Sequence, residues 1–99
     1  MNLDAHYVVS RDAAVRPERF GGLVYRYDNR RLYFLYSRDL VDFVCSIDGA
    51  CPLGATLDAF LATRALPANA REVFVNALVQ LEQLKVLEEA HNAEVYHRA

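Results

Sequence analysis

The stretch of residues 23–36 constrains the fold most, because its side chains alternate with a period of two on both sides of a turn. Such alternation is typical of two β-strands that each present one face to a core. Asp28-Asn29 lies between them, and both side chains hydrogen-bond locally while Asn tolerates positive φ. The pattern therefore predicts a β-hairpin.

The same pattern predicts which hairpin side chains share a face. A two-residue loop at Asp28-Asn29 or at Asn29-Arg30 leaves this grouping unchanged, whereas a three-residue loop would reverse it. We expect the core-facing set to be Leu23, Tyr25, Leu32 and Phe34. Tyr33 and Leu35 would then face away from the core.

The rest of the chain predicts short strands before the hairpin and helices after it. The strands are expected at residues 7–9 and 14–16. Ser37 is the expected cap of a first helix, a second opens at Gly54 or Thr56, and the longest starts near Asn69. This order predicts an α+β, winged-helix-like fold, with a three-stranded antiparallel sheet followed by a three-helix bundle. We expect one domain over residues 1–99, with an ordered core at about 7–87 and a mobile tail at 88–99.

Composition narrows the class of protein. With 54% hydrophobic and 24% charged residues, the 99-residue chain is expected to be globular. Its first ten residues lack the basic flank and apolar run of a signal peptide, so we expect a cytoplasmic protein that does not bind membranes. Residues 1–40 hold seven arginines against five acidic groups, and the remainder is acidic. The hairpin half therefore attracts anions.

Two features of the hairpin suggest a docking edge for another chain. Three arginines, Arg26, Arg30 and Arg31, cluster at its tip, where they could either receive an anion or be solvated and paired with Asp28. If the second strand is a sheet edge, its unpaired backbone groups can accept an added strand. The groove between that strand and the long helix would be lined by Tyr33, Leu35, Val75, Leu78 and Val79. The alternative for these apolar residues is deeper burial in the core.

Signals of catalysis are weak. Cys45, Cys51, His91 and His97 have no recognised metal-ligand spacing, and Cys45 is expected to be a buried, inert thiol. The sequence contains no glycine-rich phosphate loop, nucleophile elbow or paired catalytic carboxylates. We expect neither enzymatic activity nor a bound cofactor.

The segment "VRPERFGGLVYRYDNRRLYFL", residues 15–35, followed by Leu40 and Val41 on a helix, resembles the mycofactocin-biosynthesis peptide chaperones. That family is similar to the pyrroloquinoline quinone chaperones, a group of peptide-recognition domains. The resemblance implies a winged-helix-like domain that binds the leader of a precursor peptide as an added strand. It also implies delivery of the peptide to a radical SAM maturase, the S-adenosylmethionine enzyme that carries out the chemistry.

A second function remains open from the residues alone, a winged-helix DNA-binding regulator that uses the arginine hairpin as its wing. Its recognition helix would offer Arg71 and Lys85, opposed by Glu72 and Glu82. That set is poor for contacts with phosphates and bases, and the whole chain carries a formal charge of −2. We therefore expect no nucleic-acid partner.

Overall fold

The computed structural model describes residues 1–90 and contains five strands and three helices. The strands are β1 (Tyr7–Val9), β2 (Ala13–Glu18), β3 (Gly21–Arg26), β4 (Leu32–Leu35) and β5 (Leu87–Glu89). The helices are α1 (Arg38–Ser46), α2 (Leu53–Arg64) and α3 (Ala70–Gln83). The predicted α+β class is confirmed, with a three-stranded antiparallel sheet followed by three helices.

The main sheet has the strand order β2-β3-β4, and all its pairs are antiparallel. In the hairpin, Tyr25 lies opposite Leu32, and the Arg26 amide donates a hydrogen bond to the Arg31 carbonyl at 2.9 Å. The pairing is therefore centred on Asp28-Asn29, one of the two predicted alternatives. The loop is longer than two residues, because regular pairing stops at Arg26.

The predicted core face of the hairpin is wrong, although the residues grouped on it do lie together. Leu32 and Phe34 are 48% and 51% exposed, and Leu23 and Tyr25 are only partly buried beside them. The helices cover the opposite face, which carries the fully buried Val24. Arg26 made that inner face look polar in the sequence, yet its side chain is buried too.

Helix α1 packs across β2 and β3 on the inner face of the sheet. Ser37 caps it as predicted, its hydroxyl accepting a hydrogen bond from the Leu40 amide at 3.1 Å. Gly22 allows the close approach of helix and strand, because a Cβ there would lie 2.8 Å from Val41 Cγ2. The hairpin is thus seated directly against the first helix.

The three helices meet through one phenylalanine each. The Phe43 ring of α1 lies 5.2 Å from that of Phe60 in α2 and 6.1 Å from that of Phe74 in α3, between ring centroids. Edge-on and tilted rings at these distances add to the stabilisation from burial. This cluster fixes α3 relative to α1, and through α1 to the sheet.

Helix α2 begins at Leu53, slightly before the predicted start. Its N-cap, Pro52, makes no side-chain capping bond. The amides of Leu53 and Gly54 donate instead to the carbonyls of Ala5 and Leu3, at 2.9 and 2.8 Å. The N-terminal segment therefore satisfies the donors that a capping side chain would otherwise meet.

Strands β1 and β5 form a separate two-stranded antiparallel sheet. The Ala90 amide extends its ladder by donating to the His6 carbonyl at 2.8 Å. Glu88 and Glu89, which the sequence places in a mobile tail, belong to β5. Residues 91–99 of that tail lie outside the described residues.

Candidate functional site

A groove of about 430 Å³ runs between strand β4 and the C-terminal half of helix α3. We call it the β4–α3 groove. Its residues are Leu32, Tyr33, Phe34, Leu35, Tyr36, Ala77, Gln80, Leu81 and Leu84. Gln80 is the one amide side chain in this set, and the tyrosine hydroxyls are its other polar groups. The lining therefore suits apolar side chains of a ligand.

Strand β4 is an edge of the three-stranded sheet, since within residues 1–90 only β3 pairs with it. Hydrogen-bonded and non-bonded residue pairs alternate along an antiparallel ladder. Because Arg26 and Arg31 form a bonded pair, the next bonded pair on β4 involves Tyr33, opposite Val24. The N–H and C=O groups of Leu32 and Phe34 therefore point to the open edge. They can hydrogen-bond to an extended chain placed there.

Tyr33 and Leu35 form the strand wall of the groove. Both are partly buried against the core rather than turned away from it, so the sequence-based orientation was wrong for them. The helix wall consists of Ala77, Leu81 and the half-exposed Leu84. Because the side chain of Ala77 is small, it leaves space in the groove that a ligand side chain can enter.

Arg26 ties the hairpin to the end of α3 and so joins the two walls of the groove. Its Nη1 donates to the carbonyls of Leu84, at 3.5 Å, and of Lys85. Its Nε and Nη2 donate to the two oxygens of Asp28, at 3.0 and 2.7 Å. A cation at a helix C-terminus is favourable because the last carbonyls lack partners within the helix. Arg26 is only 6% exposed, so its guanidinium is taken up by these contacts, and its predicted contact with a peptide stays a prediction.

The Arg26–Asp28 pair shifts both ionisation equilibria toward the charged forms. The hydrogen bonds from Arg26 hold the pKa of the Asp28 carboxyl below its ordinary value. The same hydrogen bonds to Asp28 raise the pKa of Arg26. Of the three arginines predicted at the tip, Arg26 thus carries its counter-ion within the hairpin.

Arg30 and Arg31 are exposed at the tip, and neither forms an ion pair with another described residue. Arg30 has a φ of 58°, a left-handed conformation that usually favours glycine or asparagine. The Arg31 amide donates to Asn29 Oδ1 at 2.9 Å, which closes the loop behind it. Both guanidinium groups remain available to an anionic partner beside the start of β4.

The predicted contacts on α3 do not share one surface. Leu78 is fully buried in the core. Val75 borders a different cleft, at the start of α3, together with Arg71 and Glu72. Val79 is partly buried and lines none of the described clefts. As peptide contacts, these three residues remain predictions, and the structure gives none of them a place in the β4–α3 groove.

Sequence reasoning missed the helix residues that do line the groove, which are Ala77, Gln80, Leu81 and Leu84. They recur at intervals of three and four, so they share one side of the helix. In the sequence, Ala77, Leu81 and Leu84 continue the apolar spacing of Phe74 and Leu78, which predicts burial in the core. They differ from Leu78 because they lie on the side of α3 next to the hairpin. That position depends on the tertiary structure, so the sequence does not show it.

The cysteines lie apart from the groove. Cys45 and Cys51 are both free and exposed, so the expected burial of Cys45 is wrong. Cys45 occupies the outward side of α1, between the buried Val44 and the exposed Ser46. Partial desolvation, with a contribution from Asp42, raises the pKa of the Cys45 thiol. A raised pKa keeps it in the less reactive thiol form.

Two further properties bear on function. Among residues 1–90, no group of three or more metal-ligating side chains is placed to hold an ion. In the same part of the chain, no helix combines the length and apolar character needed to cross a bilayer.

Comparison with known proteins gives one match. Neither the curated proteins nor the solved structures include a significant relative of this chain. The family model described as "Peptide chaperone MftB family" matches residues 6–88, which span every strand and helix except the last residue of β5. The chain therefore belongs to the peptide chaperone MftB family.

Proposed function

We propose that this protein binds the leader of a ribosomally made precursor peptide as an added strand on β4. It then delivers the bound peptide to a radical SAM maturase in mycofactocin biosynthesis, acting in the cytoplasm. The open edge of β4 beside the apolar β4–α3 groove carries this proposal. Membership of a peptide chaperone family supports it independently.

In this proposal the protein contributes binding and positioning, and the maturase carries out the reaction without a cofactor on the chaperone. Residues 1–99 act as one peptide-recognition domain with a winged-helix-like arrangement, in which the β3–β4 hairpin is the wing. The leader lies between this wing and α3. Its backbone bonds to Leu32 and Phe34, and every second side chain enters the groove.

The energetics are adequate for reversible binding. About four new backbone hydrogen bonds contribute roughly 1 kcal/mol each. An apolar side chain buried in the groove adds about 1.5–3 kcal/mol. Ordering the free peptide costs about 2–5 kcal/mol, and the lost freedom of association costs more. These gains and costs are of similar size, so we expect reversible rather than tight binding, with a Kd near micromolar as the working expectation for a peptide that is passed on to an enzyme.

A DNA-binding role has less support. Arg71, one of the two basic residues on the would-be recognition helix, pairs with Asp58 at 2.8 Å. The other, Lys85, follows the end of α3, and its carbonyl accepts a hydrogen bond from Arg26. The exposed part of α3 also carries Val73, Glu72 and Gln80, which offer no basic surface.

Filling the groove tests the proposed site. Ala77→Glu places a longer, charged side chain in the space that the leader requires, so the Kd for a synthetic leader peptide should rise at least tenfold. Val73→Glu is the matched control, because Val73 is 58% exposed on the same helix and does not line the groove. Isothermal titration measures both variants after circular dichroism has confirmed their folding. Equal Kd values for Ala77→Glu and the unaltered protein would exclude this groove as the peptide site.

A further inference from the structure

The outer face of the sheet carries an aromatic cluster whose rings the proposed function does not use, although Phe34 and Tyr36 also border the β4–α3 groove. We call Phe20, Phe34 and Tyr36 the outer aromatic cluster. Their ring centroids lie 5.7–6.2 Å apart, and the side chains are 42%, 51% and 77% exposed. An exposed group of three packed rings is unusual on a small protein and commonly marks a contact surface.

Two members of the cluster belong to the end of the hairpin that forms the groove. Phe34 lies in β4, and Tyr36 follows it, so both alternate with the groove residues Tyr33 and Leu35. Leu32, at the start of β4, is also 48% exposed on the outer face. The open edge of β4 is thus bordered by apolar side chains above and below.

Strand geometry specifies what an added chain would present to this face. Side chains of directly opposite residues on neighbouring strands point to the same side of the sheet. In an antiparallel added strand, the peptide residues that hydrogen-bond with Leu32 and Phe34 therefore turn outward, beside the outer aromatic cluster. Peptide residues opposite Tyr33 and Leu35 turn inward to the groove.

We propose that the protein recognises the leader on both faces of the added strand, with outward-facing apolar or aromatic residues packed against Phe34 and Tyr36. This inference rests on the proposed strand addition and specifies its ligand. The bound segment carries large apolar residues at consecutive positions rather than at every second one. Acidic residues flank it on the side of Arg30 and Arg31.

A second copy of the chain is a poorer occupant of this edge. Arg30 and Arg31 precede β4, and the exposed Arg38 follows it. Edge-to-edge pairing of two β4 strands, in either direction, would bring arginines from the two copies together. Like charges in such positions are destabilising. An acidic, apolar peptide instead complements both the rings and the arginines.

Two sets of variants test the inference. Phe34→Thr and Tyr36→Thr keep residues that favour strands but remove the exposed rings. Each should raise the Kd of the synthetic leader by about threefold to tenfold, the range expected for the loss of an aromatic pair. Tyr27→Thr is the control, since Tyr27 is 56% exposed on the same hairpin and packs with Tyr25 outside the cluster.

A serine scan of the leader tests the same contacts from the side of the peptide. We expect losses at consecutive positions of the bound segment, and the loss at one outward position should not add to that of Phe34→Thr. Losses at every second position only, together with normal binding by Phe34→Thr and Tyr36→Thr, would overturn this inference and leave the groove intact. Normal binding by these variants and by Ala77→Glu would instead remove the proposed site itself.

Sedimentation of the unaltered protein tests the other possible occupant of this surface, a second copy of the chain. The inference predicts a monomer at the concentrations used for titration. A dimer that Phe34→Thr dissociates, without change in the Kd of the leader, would assign the outer aromatic cluster to self-association and overturn the inference.

Discussion

At the scale of single residues, Arg26 does the most to define the candidate site. It hydrogen-bonds both to Asp28 in the hairpin loop and to the carbonyls that end α3. These are the two elements that form the walls of the β4–α3 groove. A lysine cannot reproduce this, because one ammonium lacks the planar fork that reaches both partners. The spacing of the walls therefore depends on a residue that contacts no peptide in our account.

The Arg26–Asp28 pair predicts a specific dependence of stability on pH. Because Arg26 lowers the pKa of Asp28 in the folded state, the ionised carboxylate stabilises the fold at pH values above the ordinary pKa of about 4. That stabilisation is lost as the pH falls through the lowered value. Asp28→Asn should therefore be less stable than the unaltered protein at pH 7, and the difference should shrink as the pH falls from about 5 to 2.

Urea unfolding across this pH range measures the effect. Asp48→Asn is a suitable control, because Asp48 forms no ion pair among the described residues and bonds only to the Ala50 amide. A difference between Asp28→Asn and the unaltered protein that stays constant down to pH 2 would show that the pair does not stabilise the fold.

The pairing of Arg26 with Asp28 was one of the two alternatives that the sequence left open, but its burial was not predicted. The sequence shows a cluster of three arginines, but it does not show that the first of them faces inward beneath the end of α3. Burial of a guanidinium requires several acceptors in fixed places, and two of these, the carbonyls of Leu84 and Lys85, lie 58 and 59 positions away in the sequence. Arg30 and Arg31 were predictable as exposed groups because no such partners reach them.

At the scale of elements, strand β4 decides how the protein can bind. Its inner residues pack against the core, its outer residues are exposed, and its second edge is open within residues 1–90. Alternation in the sequence was enough to predict the strands and to limit the turn of the hairpin to two positions. It could not decide which face is buried, since both faces contain large apolar residues. Only the packing of α1 on Val24 and Val15 makes that choice.

The open edge predicts a distinctive response to proline. Leu32→Pro removes an N–H that points away from β3, at the first residue of the strand, so the ladder with β3 should survive. One carbonyl of the leader would lose the hydrogen bond from the Leu32 N–H, and the Kd of the leader should rise by about threefold to tenfold. Leu32→Val is the control that keeps the N–H, and it should bind within a factor of about two of the unaltered protein.

Hydrogen exchange gives the structural readout for these two variants. Protection of the β3 amides should be unchanged in Leu32→Pro when no peptide is present. Tight leader binding by Leu32→Pro would contradict strand addition at this position, whereas loss of β3 protection would contradict the outward direction of the Leu32 amide.

At the scale of the whole molecule, the charged groups and the apolar groove lie in different places. The hairpin half is rich in arginine, and the other half of the chain is acidic. The groove between them is largely apolar. The sequence predicted this charge asymmetry and the pairing of a strand with the long helix. It did not predict which turns of α3 face the strand, because the position of α3 depends on its packing with α1 through the three phenylalanines.

The arginine tip predicts that leader binding depends on salt. Raising the ionic strength from about 0.05 to 0.5 M screens Arg30 and Arg31, so the Kd should increase severalfold. The double variant Arg30→Gln/Arg31→Gln should bind more weakly at low salt and depend less on salt. Arg71→Gln, which removes one positive charge at the start of α3, should keep the original salt dependence. Identical salt dependence in all three proteins would exclude a role of the tip in steering an acidic leader.

The central claim is that this chain captures a leader peptide, and titration of the unaltered protein tests it most directly. The ligand is the same synthetic leader peptide, and the titration is repeated with the radical SAM maturase present. We expect saturable one-to-one binding with a Kd near micromolar. No binding at tens of micromolar peptide, with or without the maturase, would contradict it.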